Sequence, residues 1–198
     1  MLAVTNKLTW YVARSSGLMA WAVVTASVLW GLALSSRLTR KRGVPAWLND
    51  LHQFLGTLSL VFTGVHMVAL WLDRYVPFGL KQLFIPMASS WRPAGVAWGI
   101  VAMYLLVAIQ GTSRMMRRMP RKVWHTIHMS SLILFVAATA HGFTTGADRS
   151  NRLVQWLSLT GMTLVVTMGL FRLLHGRRAR RTHPTPAPSP ARQPVGAR

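Results

Sequence analysis

The chain has 198 residues, of which 52% belong to the hydrophobic set, and its mean hydropathy is positive at +0.33. It carries 23 Lys and Arg against three acidic residues, and it contains no cysteine. The lack of cysteine excludes disulfides, thiolate metal sites, cysteine-ligated iron–sulfur clusters and a cysteine nucleophile. A net charge of +20 would suggest nucleic-acid binding in a soluble protein. Here the basic residues lie between apolar runs, so membrane topology explains them better and no nucleic-acid partner is expected.

The apolar residues are concentrated in five runs of about 20 residues, the length that crosses the hydrocarbon core of a bilayer as a helix. Because a backbone in lipid must satisfy its own hydrogen bonds, each run is predicted to be α-helical. The sequence therefore predicts an all-α, membrane-spanning helical bundle over residues 1–175. The five transmembrane helices are expected at about 16–36, 51–72, 94–112, 123–146 and 153–174.

The basic residues predict how these spans are oriented. Sixteen of them follow the first, third and fifth spans or lie near the end of the fifth, and seven lie on the opposite side. The richer side should be cytoplasmic, which puts the N-terminus outside and the C-terminus in the cytoplasm. The expected location is the cell (plasma) membrane, as the inner membrane of a bacterium. The first span is followed by basic residues rather than by a cleavage site, so it is expected to remain as an anchor.

Two segments outside the predicted spans are long enough to be described separately. Residues 73–93 are rich in aromatic residues and proline, and they are expected to lie at the outer membrane interface. Residues 176–198 are basic and then rich in Pro and Ala, so they are predicted to form a disordered cytoplasmic tail near anionic lipid.

Four histidines lie inside the second and fourth spans. His52 and His66 are fourteen residues apart and His128 and His141 are thirteen apart, which corresponds to about 21 and 20 Å along a helix axis. Both spans are predicted to run outward from the cytoplasm, so each histidine of one span has a counterpart at the same depth on the other. Two histidines at one depth on neighbouring helices can ligate a haem iron from its two faces. The pairs His52/His128 and His66/His141 therefore predict two haems, one above the other.

The spacing on the fourth span does not settle the direction of the side chains. On an ideal helix a fourteen-residue step returns to within about 40° of its starting direction, whereas thirteen residues miss it by about 140°. Local bending by hydroxyls that bond back to the helix backbone could correct this, and so could a sideways offset of the two haems. Other uses of the histidines are interhelical hydrogen bonding in a haem-free structural or assembly subunit and a proton relay, which normally also recruits carboxylates.

Further residues are weaker candidates. His125 lies one turn from His128 and is expected to be a propionate partner or an interfacial residue rather than a substitute ligand, while His175 and His183 are expected to be solvated. Basic side chains could neutralise haem propionates or attract an anionic acceptor. The outer candidates are Arg74, Lys81, Arg92, Arg149 and Arg152, and the inner ones are Arg114, Arg117, Arg118 and Arg121.

The histidine spacings H-x13-H and H-x12-H on two such helices resemble the ferric reductase-like transmembrane domain family. This family includes the NADPH oxidases, the ferric reductases and the haem subunit of methionine sulfoxide reductase. The pattern W-x-x-x-H…HG-x-x-x-G-x-D, from Trp124 to Asp148, and the stretch LDRYVPFGLKQLFIP at 72–86 are similar to its short members. The resemblance covers about 50–150. It implies two b-type haems, held by the inner and outer histidine pairs, that carry electrons across the membrane.

The chain departs from the family pattern in two respects. Members often have six helices, and only five are predicted here. The sequence also contains no G-x-G-x-x-G motif and no other flavin or nicotinamide module. The resemblance therefore implies a separate flavin or quinol electron donor, with any flavin supplied by a partner. A membrane cytochrome b that depends on such a donor is the predicted function, and a quinol-linked cytochrome is the alternative.

Overall fold

A computed structural model of the chain describes residues 2–35, 45–73, 78–148 and 150–181, with the side chains of 2–6 and 175–181 left out of the description. The described residues contain helices and connecting turns but no strand, so the prediction of an all-α fold is confirmed. A short 3-10 turn covers Met116–Arg118. The α-helices are α1 (Leu2–Ser35), α2 (Ala46–Leu72), α3 (Leu80–Phe84), α4 (Pro93–Arg114), α5 (Arg121–Met129), α6 (Ser131–Thr145) and α7 (Arg152–Arg181).

Five stretches within the described ranges are long and apolar enough to cross a membrane. They are Lys7–Ser35, Ala46–Leu72, Pro93–Arg114, Arg121–Thr145 and Arg152–Leu174. Many of their large apolar side chains are exposed, among them Leu153 at 73% and Trp156 at 68%. Apolar surface of this extent is stable only against lipid or a partner. The chain is therefore a multi-pass membrane protein with five spans, as predicted, while the direction in which the spans cross remains a prediction.

Three helices extend beyond the predicted membrane spans, whose bounds remain predictions. Helix α1 begins at Leu2, before the predicted start of the first span near residue 16. Helix α2 begins at Ala46, directly after Pro45, instead of at 51. Helix α7 continues past the predicted end at 174 to Arg181, so the first residues of the predicted tail are helical, and 182–198 lie outside the described residues.

The main apolar core lies where α1, α4, α6 and α7 meet. Phe135 and Ala137 of α6 are almost completely buried there. Two indole donors fix neighbouring helices in register, since Trp21 Nε1 donates to Thr139 Oγ1 at 3.0 Å and Trp30 Nε1 donates to the carbonyl of Leu48 at 2.9 Å. The remaining core residues are Val24, Val28, Leu32, Ala102, Leu106, Ile109, Leu134 and Val165.

The bundle consists of two antiparallel helical hairpins and a single C-terminal helix, α7. Helices α1 and α2 form the first hairpin, and α4 forms the second with the α5–α6 pair. Helix α7 packs mainly on α1, and α2 lies against α4. The hairpins bring the second and fourth spans, which carry the histidines, to facing positions.

The fourth predicted span is interrupted at Ser130, which separates α5 from α6. The N–H of Ser130 bonds to the carbonyl of Ile127, three residues back, and its Oγ donates to the same carbonyl at 2.6 Å. A hydroxyl that bonds back to its own helix commonly bends it. The helix geometry between His128 and His141 is therefore not that of an ideal helix, and the thirteen-residue spacing does not prevent both rings from facing α2.

Candidate cofactor site

The two histidine pairs predicted from depth are brought together in the bundle. The ring centroids of His52 and His128 are 5.9 Å apart, and the ring planes cross at 70°. The centroids of His66 and His141 are 6.3 Å apart, with planes crossing at 80°. All four side chains are partly buried. Each pair takes one histidine from each hairpin, so the structure contains two similar sites at two levels of the bundle.

The pairs His52/His128 and His66/His141 are called inner and outer after the predicted orientation. In the outer pair, each imidazole is fixed by a backbone carbonyl of the partner helix in its own hairpin. Nδ1 of His66 lies 2.7 Å from the carbonyl oxygen of Ala13, and Nδ1 of His141 lies 2.9 Å from that of Gly95. A carbonyl oxygen only accepts, so Nδ1 must carry the proton in both rings. Nε2 of each ring then keeps its lone pair, which is the arrangement found in metal-ligating histidines.

A glycine makes each of these carbonyls accessible. In an α-helix the side chain of residue i+4 lies beside the carbonyl of residue i, as the back-bonding of Ser and Thr demonstrates. Gly17 follows Ala13 by four residues, and Gly99 follows Gly95 by four. A Cβ atom on Gly17 would lie 2.9 Å from Nδ1 of His66, and one on Gly99 would lie 2.7 Å from Nδ1 of His141. The space that a side chain would occupy is thus filled by the imidazole.

In the inner pair, a serine of the partner helix in the same hairpin lies beside each imidazole. Nδ1 of His52 lies 3.5 Å from Ser27 Oγ, and Nδ1 of His128 lies 3.4 Å from Ser113 Oγ. A Cβ atom on Gly31 would lie 3.1 Å from the His52 ring. These contacts are longer than those of the outer pair, and a hydroxyl can donate or accept, so the inner imidazoles are less firmly fixed.

Trp124 adds an aromatic wall to the inner pair. Its ring stacks on His128 with centroids 5.1 Å apart and planes inclined by 27°. The indole Nε1 is buried, and it is the one buried side-chain nitrogen or oxygen in the described part of the chain that lacks a hydrogen-bond partner. A buried donor without an acceptor costs about 1–3 kcal/mol, so this atom needs an explanation.

A bidentate ion pair closes the outer end of the bundle. The Nε and Nη2 atoms of Arg14 donate to the two carboxylate oxygens of Asp148. Asp148 is 7% exposed, and the guanidinium also lies over the ring of Trp10, 5.0 Å from its centroid. Arg14 adjoins Ala13, which binds His66, and Asp148 follows the helix that carries His141. The pair therefore ties together the two segments that hold the outer histidines.

We expect Asp148→Asn to lower the free energy of unfolding by about 1.5–3 kcal/mol, because Arg14 would lose a charged, bidentate partner. The guanidinium is 35% exposed, so water compensates part of the loss and a larger effect is not expected. Denaturant unfolding followed by circular dichroism in detergent measures the change. The exchanged pair Arg14→Asp with Asp148→Arg should recover part of the lost stability, and a double variant no better than its parents would contradict the role of the pair.

Among the other sequence candidates, Arg92, Arg114 and His125 have defined contacts in the described residues. Arg92 adopts a left-handed backbone conformation (φ 44°) and donates to the carbonyl of Thr144, beside the outer pair. Arg114 donates to Thr57 Oγ1 at 3.1 Å, near the inner side. His125 is exposed, with its ring centroid 6.5 Å from that of Trp124. Lys81, Arg117, Arg118, Arg121 and Arg152 are exposed, whereas Arg74, Arg149 and His183 and the side chain of His175 lie outside the described residues.

The chemistry of the site is that of paired imidazoles. No group of three or more His, Cys, Asp or Glu side chains that could hold a bare metal ion occurs in the described ranges. Two imidazoles per level suit a cofactor that supplies the other metal ligands itself, as a porphyrin does. Three features of the site fit a porphyrin-bound metal. Nδ1 of His66 and of His141 carries a proton, so Nε2 is free to bind a metal. Glycines make room for the imidazole rings, and the buried indole N–H of Trp124 has no acceptor.

Sequence reasoning found the histidines but missed the atoms that fix them. The carbonyls of Ala13 and Gly95 carry no side-chain signal, and the ion pair joins residues 134 positions apart. One signal was available, since Gly17 and Gly31 are fourteen residues apart, the same spacing as His52 and His66. On an antiparallel neighbour, this spacing places a glycine opposite each histidine.

Comparison with known proteins points to one family. The family model described as ferric reductase like transmembrane component matches residues 15–139, which is more than half of the chain. The match contains His52, His66 and His128 and ends two residues before His141. No curated protein and no solved structure gave a significant match. The chain therefore belongs to the ferric reductase like transmembrane component family, whose members are membrane electron-transfer domains that generally bind haem.

Proposed function

We propose that the chain is a membrane cytochrome b that carries electrons across the bilayer through two bis-histidine haems. His52 and His128 would bind the inner haem, and His66 and His141 would bind the outer one. The observation that carries the proposal is the contact of the four histidines in two pairs at two levels, with one member of each pair from each hairpin. Interhelical packing alone would not require this repetition.

The separation of the rings supports a shared metal ion in each pair. Imidazole nitrogen binds metal ions at about 2 Å, and the ring centre lies about 1.1 Å behind that nitrogen, so two axial rings should have centroids about 6 Å apart. The observed separations are 5.9 and 6.3 Å. Planes that cross at 70° and 80° are compatible with this, because each axial ring may turn freely about its bond to the metal.

The residues around the pairs favour electron transfer over substrate chemistry. When both axial positions of a haem are filled by histidine, its iron has no open position for oxygen and is suited to passing electrons. The contribution of this chain is to fix the ligand tautomers through Ala13 and Gly95, and to keep the rings in an apolar, water-poor bundle. No residue of the chain is proposed to act as an acid, a base or a nucleophile.

The electron donor is proposed to be a separate component. Members of the family usually work with a separate donor. For this chain we propose a flavin-bearing reductase at the cytoplasmic face, with a quinol in the membrane as the alternative. The proposed location is the inner membrane of a bacterium, with the inner histidine pair on the cytoplasmic side.

An absorbance spectrum of the protein purified from haem-supplied cells tests the proposal. Reduction by dithionite should give Soret and α bands of the b type, and the pyridine haemochrome assay should give about two haems per chain, one for each histidine pair. A protein that folds as a helical bundle and binds no haem would contradict the proposal and favour a structural or assembly role. Reduction by a quinol analogue, compared with reduction by a flavin reductase, identifies the class of donor.

A further inference from the structure

The buried indole nitrogen of Trp124 is the starting point. Within the described residues it is the one buried side-chain donor or acceptor left without a partner. Its ring stacks on His128, one helical turn away. The unsatisfied N–H is therefore carried by a side chain that packs directly on a proposed ligand of the inner cofactor. A donor so close to the site, and shielded from water, is suited to an acceptor that arrives with the cofactor.

A second donor, on α7, lies against the residue of α5 that follows His128. The guanidinium of Arg172 is partly buried, and its Nη1 lies 3.9 Å from the sulfur of Met129, the residue after His128. A thioether is a weak acceptor, and no described carboxylate pairs with Arg172. A charge that is partly withdrawn from water is stabilised by a counter-charge, so this side chain is suited to an anion.

We propose that Trp124 and Arg172 form an anion-binding site for a carboxylate side chain of the inner cofactor. The inference rests on the proposed function, because the carboxylate is a propionate of the haem held by His52 and His128. Trp124 donates a neutral hydrogen bond, and Arg172 supplies the positive charge that a carboxylate needs inside a membrane protein. Arg172 was counted for the predicted orientation but not among the residues predicted to neutralise propionates, because it lies in an apolar span rather than in a loop.

The proposal predicts an effect on one haem only. An N–H donor and a positive charge near the propionate disfavour the ferric state, which carries the extra positive charge on iron. Removing either group should therefore lower the midpoint potential of the inner haem. We expect a three- to tenfold change in the reduction equilibrium, or about 30–60 mV at 59 mV per tenfold for one electron. The outer haem should keep its potential.

The experiment compares Trp124→Phe and Arg172→Gln with wild type in redox titrations and in resonance Raman spectra of the propionate bending modes. Trp156→Phe is the matched control for the indole, because Trp156 is 68% exposed on the lipid-facing side of α7. Arg172→Lys keeps the charge and should retain most of the wild-type potential. If Trp124→Phe does not accumulate in the membrane, the comparison of Arg172→Gln with Arg172→Lys decides the question.

Three results of this experiment are distinguishable. A protein with two haems whose potentials and propionate modes are unchanged in both variants would overturn the anion site and leave the proposed function intact. A wild-type protein without haem would overturn the proposed function itself. Loss of the inner haem's normal potential in Arg172→Gln, with recovery in Arg172→Lys, would support the site.

Discussion

His66→Ala is expected to remove the outer haem and leave the inner one, so the haem content should fall from about two to about one per chain. His141→Ala should have the same effect. Either variant leaves a single histidine at the outer level, and one axial ligand does not hold the haem. The remaining haem should titrate with a single midpoint potential. Reduction of an acceptor added on the outer face should fall to the background level, since the electron path would end at the inner haem.

The matched experiment uses His52→Ala and His128→Ala, which should spare the outer haem and remove the inner one. His125→Ala is the control, because His125 is exposed and its ring lies beside Trp124 rather than against another histidine. It should keep both haems. If His66→Ala and His141→Ala both retained a full haem complement, the assignment of the axial ligands would be wrong.

Gly99→Ala is expected to weaken binding of the outer haem by about 10- to 100-fold, the size of effect seen when the partner of a metal-ligating histidine is disturbed. A Cβ atom at this position would lie 2.7 Å from Nδ1 and Cε1 of His141. The ring would have to move away from the carbonyl of Gly95, to which its Nδ1 is bound at 2.9 Å. Gly17→Ala should act in the same way on His66, with a milder clash at 2.9 Å.

The glycine variants have matched controls away from the outer pair. Gly111 lies on α4, the helix of Gly99, and Gly169 lies on α7, and a Cβ atom at either position would meet nothing within 4 Å. Replacing a helical glycine by alanine normally stabilises the helix by about 1 kcal/mol. Gly111→Ala and Gly169→Ala should therefore hold the outer haem normally, and the transfer of haem to apomyoglobin compares all four variants. Equal loss of the outer haem from Gly99→Ala and Gly111→Ala would refute the role of the glycine.

The spans of the fold could be predicted because lipid imposes a simple rule on the sequence. A run of about 20 apolar residues must become a helix in a bilayer, and the five predicted spans correspond to the five observed ones. The hydropathy pattern does not predict where α1 begins, because a helix can extend beyond its apolar part. It also does not predict the pairing of Arg14 with Asp148, which lies 134 positions away.

The site was predictable in depth but not in rotation. The rise per residue along a helix is nearly constant, so counting residues was enough to match His52 with His128 and His66 with His141. The direction of a side chain depends on the helix phase, which the interruption at Ser130 changes in a way that spacing does not reveal. The backbone acceptors and the buried indole donor depend on how the hairpins dock, and no local pattern encodes that.

The division of each histidine pair between two hairpins has a consequence for biogenesis. The first hairpin leaves the ribosome with only one histidine of each pair, and the partners His128 and His141 follow His52 and His66 by 76 and 75 residues. Under the proposed function, neither haem would gain both of its axial histidines before the second hairpin has docked on the first. The haems would then hold the two hairpins together, and cells starved of porphyrin should accumulate a less stable, protease-sensitive precursor.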